Sequence, residues 1–287
     1  MSTQSQKNQI IDNPSKNGSE ISITGKWIPK KKGILFLKSE DSKELISEWN
    51  DIHNEAKAHP GVLSTEINHA IGKDAILVHH VFRDKDSLIN YFNTIAPRHI
   101  EKLKDIATPD TQLVRGIEFN DDIIKTISDK ANVNFGEYIY GYVRNDYEMP
   151  DEKDAIQVTA KWKVKKDSNG TLEDLINNWR KVAIEANDIE KGLLRFEAYK
   201  VIGEEALIIH ETFKTNDDLQ FHLTKGTAAK YKKDIDTGAF PENYFFRGPV
   251  SWMIRTYSKF MNLPATYTTL GKSYKADDGS FSDGIIK

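Results

Sequence analysis

GVLSTEINHAIGKDAILVHHVFRDKDSLINYF, residues Gly61–Phe92, lies on GLLRFEAYKVIGEEALIIHETFKTNDDLQFHL, residues Gly192–Leu223, without a gap when the chain is shifted by 131 positions. Ten of the 32 pairs are identical, among them Gly61/Gly192, Glu66/Glu197, Gly72/Gly203, His79/His210 and Phe82/Phe213. The match extends outward. Ile23-Thr24-Gly25-Lys26-Trp27 answers Val158-Thr159-Ala160-Lys161-Trp162, and Arg115-Gly116 answers Arg247-Gly248. The period is far longer than the roughly 20–50 residues of a solenoid unit, so it reads as a duplicated domain.

Each copy predicts the order strand, helix, strand, strand, helix, strand. In the first, Ile21–Ile28 alternates as a strand, which Lys32–Lys38 extends or follows as an inserted strand. A helix opens at Ser39 and runs through Ala56; strands Val62–His69 and Ala75–Phe82 meet at a turn around Gly72-Lys73-Asp74. A helix capped by Asp84 or Asp86, a helical stretch His99–Ile106 and a last strand Val114–Phe119 complete it. The second copy repeats this with strand Ile156–Val164, helix Thr171–Asn187, strands Leu193–Lys200 and Ala206–Phe213, helix Asp217–Lys233 and strand Phe245–Met253. Thr171 and Asp174 have the spacing of a capping box. The order is that of the split βαβ, ferredoxin-like arrangement, whose sheet has helices on one face only. The expected fold is therefore α+β: two ferredoxin-like units packed sheet to sheet within one chain. Residues 1–20 read as a disordered tail, 21–150 as the first domain and 151–287 as the second. Each domain ends in an extension (Asp121–Pro150, Arg255–Lys287) expected to wrap the outside or cover a pocket mouth, and Lys275–Lys287 reads as poorly ordered.

Composition removes several classes. With no cysteine among 287 residues, disulfides, thiolate metal sites and cysteine nucleophiles are excluded. A net charge of −3 without a basic, aromatic-interleaved stripe argues against nucleic acid. No run reaches the roughly 18 apolar residues of a membrane span, and the start lacks the apolar core of a signal peptide. A cytoplasmic protein, monomeric or a loose homodimer, is expected.

Chemistry-bearing residues recur at matched positions. His79 and His210 follow apolar runs in the third strand; an imidazole with an ordinary pKa of about 6.5 there serves as a proton acceptor, or sits buried and hydrogen-bonded. His79-His80 and His210-Glu211 are adjacent on a strand and point to opposite faces, so neither pair grips one metal ion, and no metal is expected. Trp27 and Trp162 on the first strand, with Trp49 and Trp179 on the first helix, line a cleft or pack the core. Arg115 and Arg247 hold an anionic substrate or pair with Glu66 and Glu197. Asn68 and Tyr199 are equivalent in place but not in chemistry, as are Tyr91 and His222.

His210-Glu211-Thr212-Phe213 followed by Asp217-Asp218-Leu219-Gln220-Phe221-His222 resembles the antibiotic-biosynthesis-monooxygenase-like family of dimeric α/β barrels, with Glu211 and His222 at family positions. The first copy departs with His80 and Tyr91, and keeps Pro97-Arg98-His99 where the family often has Pro-x-His. The resemblance implies a cleft between sheet and helices and cofactor-free oxidation of a small aromatic, quinol or polyketide-like substrate. His210 would act as base, with Glu211, His222, Trp162 and Tyr199 shaping the pocket. His79, Trp27, Asn68 and Arg115 mark the matched first-half site, and Arg247 the second. The alternative is a non-catalytic small-molecule-binding or structural barrel; haem binding or degradation, which the family also includes, comes third. An open cleft of about 300–1,000 Å³ lined by His210 would favour the enzyme, and a closed apolar one the alternative.

Overall fold

The computed structural model describes residues 20–30, 40–128, 133–144 and 155–275. The expected tail before Glu20, the strand considered over Lys32–Lys38 and the stretch beyond Lys275 lie outside the described residues. In chain order the elements are β1 (Ile21–Pro29), α1 (Glu40–Lys57), β2 (Val62–Ala70), β3 (Ile76–Phe82), α2 (Lys85–Thr94), α3 (Ala96–Ile106), β4 (Ala107–Gly116), α4 (Asp121–Ser128), β5 (Asn134–Val143), β6 (Ile156–Val164), α5 (Leu172–Ile189), β7 (Leu193–Val201), β8 (Ala206–Phe213), α6 (Asn216–Thr224), α7 (Thr227–Gly238), β9 (Ala239–Arg247), α8 (Trp252–Phe260) and β10 (Ala265–Lys275). The fold is α+β.

The chain divides into two compact units. Ser15–Glu137 joins Tyr267–Lys287 in one, and Tyr138–Thr266 makes the body of the other. In the first unit β1 lies between β3 and β4, and β2 pairs with β3, all antiparallel. Asn134–Glu137 of β5 adds parallel to β4, and Thr268–Lys275 of β10 adds antiparallel to β2. In the second unit β6 lies between β8 and β9, and β7 pairs with β8.

The two units share more than strand order. Ile21↔Phe82 and Ser22↔Arg115 in the first correspond to Ile156↔Phe213 and Gln157↔Arg247 in the second. The register shifts between Lys26 and Trp27 in one unit and between Lys161 and Trp162 in the other. Such a bulge bends the strand and re-aims the following side chain.

Strand alternation separates two faces. In β3, Ile76, Val78 and Phe82 enter the apolar core with Leu45, Trp49 and Ile52 of α1 and Leu88, Tyr91 and Phe92 of α2. His79 alternates with them and projects from the opposite face. Gly61 and Gly192 are identical for a steric reason: a Cβ there would lie 2.1 Å from Ser87 Oγ and 1.9 Å from Asp218 Cγ, at the starts of α2 and α6. Those starts are capped by Asp84, which accepts from Ser87 N at 2.8 Å, and Thr215, which accepts from Asp218 N at 3.2 Å. Thr171 and Asp174 form the expected capping box.

Several sequence expectations need correction. The single helix read over Asp217–Lys233 is two helices, α6 and α7, parted at Lys225 and Gly226. A Cβ on Gly226 would sit 2.5 Å from Glu190 Oε1 and 2.8 Å from His222 Cα, so the break is where the backbone closes on a buried carboxylate. The last strands begin and end earlier than read, as β4 and β9. The extensions do not merely wrap: each supplies a helix and a strand, α4 with β5 and α8 with β10. Among the described residues, no helix is long and apolar enough to cross a membrane.

Candidate functional site

His210 is fully buried on β8, with Nδ1 3.0 Å from the Thr159 hydroxyl of β6. His79 repeats this with Thr24, at 2.9 Å. The same sheet face of the second unit carries Glu197, which accepts from Arg195 Nη2 at 2.7 Å and from the Tyr199 hydroxyl at 2.8 Å. Arg247, opposite Gln157 in register, belongs to this face too. In the first unit Asn68 Nδ2 donates to Glu66 Oε2 at 3.1 Å, and Arg115 lies opposite Ser22. This face therefore gathers His210, Tyr199 and Arg247 in one unit and His79, Asn68 and Arg115 in the other.

The remaining candidates lie on the helix-covered face. Trp162 meets Trp179 of α5 edge-on, ring centroids 5.3 Å apart, as Trp27 meets Trp49 at 5.5 Å. Glu211 approaches His222 of α6, with Oε1 3.2 Å from Nε2. The pocket expected around His210 is thus divided by the sheet, because His210 and Glu211 are neighbours in a strand.

Glu211 and His222 continue into a third residue. His222 Nδ1 is 2.7 Å from Glu190 Oε2, and Glu190 Oε1 accepts from both the backbone N–H and the hydroxyl of Thr227, at 2.6 and 2.7 Å. All three are buried, at 5%, 1% and 5% exposure for Glu190, His222 and Glu211. Burial lowers the imidazole pKa, but the Glu211 charge and the hydrogen bonds to both carboxylates overcome it and raise it to about 10. At neutral pH His222 is therefore an imidazolium held between the Glu190 and Glu211 side chains.

Shifting by the same 131 residues, the first unit has His59, Tyr91 and His80 at these positions. No charge remains. His80 is packed among Trp49, Phe82 and Tyr91, with centroids 5.9, 6.3 and 5.8 Å away. Burial, followed by the charge of His53, pushes its pKa down to about 3. His59 is also lowered by burial, and its Nδ1 accepts from Gly61 N at 3.2 Å. His99, from the Pro-x-His stretch, pairs elsewhere, with Glu48 at 2.6 Å and Glu55 at 3.2 Å.

On the same helix-covered side of the second unit's sheet is a cleft walled by Trp162, Trp179, Tyr244 and Tyr257, with Lys232 and Asp236 ion-paired along it; Glu190, His222 and Glu211 do not line it. Its cavity is about 50 Å³, within about 450 Å³ of free space when its mouth is included. Trp162 and Tyr244 meet edge-on at 5.9 Å. Tyr257, on α8, donates its hydroxyl to Leu223 O of α6 at 2.9 Å, fixing one wall. Burial, then Glu211 and Asp236, hold the Tyr244 phenol well above its ordinary pKa, so it stays protonated. The Trp179 indole N–H is buried without a hydrogen-bond acceptor. His210 does not line this cleft.

Sequence reading missed Glu190, Tyr244 and Arg144. Arg144 donates through Nε to Leu193 O at 2.9 Å and through Nη2 to Ala186, Asn187 and Glu190 carbonyls at 3.3, 2.7 and 3.1 Å, closing the end of α5 below the charged chain. A signal for Glu190 was present: three matched positions, 59/190, 80/211 and 91/222, change chemistry together. Among the described residues, no group of three or more His, Cys, Asp or Glu could hold a metal ion.

No family model and no curated protein matches the chain. Among solved structures it is similar to a candidate monooxygenase from Fusobacterium nucleatum subsp. nucleatum, at 12% identity and a TM-score of 0.53, over 90% of this chain and 95% of that one. It is also similar to an anthrone oxidase-like protein, at 11% identity and a TM-score of 0.51, over 94% and 98% of the two chains. At these identities the likeness is one of fold.

Proposed function

We propose that the chain, as two related halves (21–150 and 151–287), is a monooxygenase-like enzyme that oxidises a small aromatic molecule without a cofactor, with its working cleft in the second half. The observation that carries this reading is the aromatic cleft of Trp162, Trp179, Tyr244 and Tyr257 on the same side of the sheet as Glu211, which His222 holds. Glu211 lies on the cleft's side of the sheet, held by His222, and is the proton acceptor in this reading; His210, on the other face, holds its strand to β6 through Thr159. Removing a proton from the substrate makes an electron-rich anion that reacts with dioxygen, whose second oxygen leaves as water. The fold likeness to a candidate monooxygenase and an anthrone oxidase-like protein supports the reading.

The test is oxygen uptake over a panel of anthrones, quinols and aminophenols, with Glu211→Gln and His210→Ala compared. Loss of a positioned base costs about 10²–10⁴-fold in rate, so E211Q should be slowed by that much and H210A far less. Equal rates in wild type and E211Q would remove Glu211 from the reaction. A second reading, a non-catalytic binding protein, is favoured by the small cavity of about 50 Å³. It predicts saturable binding without oxygen uptake.

A further inference from the structure

Helix α8 has two unlike faces. Ile254 and Ser258, one turn apart, are buried. Trp252, Arg255, Thr256, Lys259 and Phe260 follow the i, i+3, i+4, i+7, i+8 spacing of a single face, away from that contact. Trp252 is 67% and Phe260 81% exposed, and Met253 beside them is 43% exposed. Large rings left in water at both ends of one helix face mark a surface that something else covers.

The fold does not require such a face. The helix after the last strand of the first half, α4, answers α8 in sequence, yet its exposed positions are Asp121, Asp122, Lys125 and Ser128. α8 carries Arg255 and Lys259 and no acidic residue. Its neighbour α6 is tied to it: Asn216 accepts from Ser251 N at 2.7 Å and donates to Pro249 O at 2.8 Å, and Tyr257 donates to Leu223 O. α6 and its cap expose Asp217, Phe221 and Lys225, which adds a third ring while the two exposed charges balance. Asp218 is engaged by the Thr215 hydroxyl. The cationic excess is therefore that of α8.

Exposed rings and cations on a convex helix suit the headgroup region of a bilayer, where aromatic rings settle at the interface and Lys and Arg meet anionic lipid. Self-association through this face brings the same patch together, setting Arg255 and Lys259 against their own kind. We propose that α8 docks the protein on an anionic lipid bilayer, with Trp252 and Phe260 entering the interface. This is contact with a surface, not a span: among the described residues no helix is long and apolar enough to cross. The same helix supplies Tyr257 to the aromatic cleft, and Met261 and Leu263 beyond it also line that cleft. A docked bilayer lies about one helix diameter, roughly 10 Å, from the cleft, a short route for an apolar ligand dissolved in lipid. Docking holds whether or not the cleft turns over a substrate.

The test is flotation of the full chain with vesicles of phosphatidylcholine alone and of phosphatidylcholine mixed with phosphatidylglycerol, for wild type, W252S/F260S and R255Q/K259Q. Two cations near an anionic surface account for roughly thirtyfold in affinity, so wild type should need at least tenfold less of the mixed vesicle. R255Q/K259Q should bind both vesicles alike. W252S/F260S should bind neither, at an unchanged melting temperature, because both rings stand largely outside the core. Of the five tryptophans, Trp27, Trp49, Trp162 and Trp179 are buried, so acrylamide quenching reports Trp252, and mixed vesicles should suppress it. Binding retained by W252S/F260S, or quenching that vesicles leave unchanged, overturns the assignment to α8. Equal affinity of wild type for the two vesicles overturns the choice of an anionic surface. No binding to either overturns the proposal outright. Sedimentation then assigns the face to a second copy if wild type runs larger than W252S/F260S, and to a protein partner if the two run alike.

Discussion

His222 Nδ1 lies 2.7 Å from Glu190 Oε2, where the first half sets Tyr91 edge-on to His59 with ring centroids 6.3 Å apart. The two arrangements occupy matched positions but stabilise differently. A buried ion chain compensates the desolvation of its members only while complete, and breaking a buried pair costs about 3–5 kcal/mol.

His222→Leu should therefore destabilise the protein by about 3–5 kcal/mol, because two carboxylates stay buried without their cation. The triple variant E190H/H222Y/E211H, which installs the first half's set, should cost less than H222L alone. Urea denaturation of both variants measures the difference; a triple variant at least as unstable as H222L would falsify the interchangeability of the two sets.

Alkaline pH should weaken the second half selectively. The folded His222 pKa is raised to about 10, against an ordinary value near 6.5, so its contribution is fully present below about 6.5 and is lost as pH rises through 10. Melting temperatures of wild type should fall relative to H222Q between about pH 6.5 and 10. Parallel curves would show that the imidazolium is not held as described.

Acid acts on the first half. His80 is held neutral with a pKa of about 3, so stability is full above its ordinary value near 6.5 and declines as pH falls towards 3, where the unfolded chain alone takes up the proton. Replacing His80 by Phe removes that proton site while keeping a ring among Trp49, Phe82 and Tyr91. The acid unfolding midpoint should move to lower pH, and an unmoved midpoint would count against a neutral, desolvated His80.

Arg144→Met should cost about 2–4 kcal/mol, since it leaves carbonyls at the end of α5 without their donor. Lysine should recover little of the loss, because one ammonium cannot reproduce the fork that reaches Leu193 and Asn187 together. Chemical denaturation of R144M and R144K checks both statements.

The sequence carried the order of elements because strand alternation and helix caps are local: Thr171 and Asp174 announce α5 from four adjacent positions. It did not announce the split between α6 and α7, because the reason for Gly226 is Glu190, which is 36 positions away in the chain. The strand β10 was illegible for a similar cause, as its partner β2 is remote in the sequence. The candidate site was half legible. His210 stood out by identity with His79, yet that identity marks a shared hydrogen bond to Thr159 or Thr24. The informative positions were those that differ, 59/190, 80/211 and 91/222, whose connection is spatial and invisible to a reading of one residue at a time.

Alternation along β3 and β8 makes each strand carry two interleaved messages. His79 and His210 preserve one, the bond to a threonine on the neighbouring strand, while His80 and Glu211, one step on, carry different ones. Either set can be rewritten without disturbing the other so long as the spacing is kept. Both halves keep it: Gly61 to Asp86 and Gly192 to Asp217 span equal lengths. One inserted residue before His210 would exchange the two messages, driving the imidazole towards Trp179 and the carboxylate of Glu211 towards Thr159. Counting, more than composition, is what this stretch of chain has to get right.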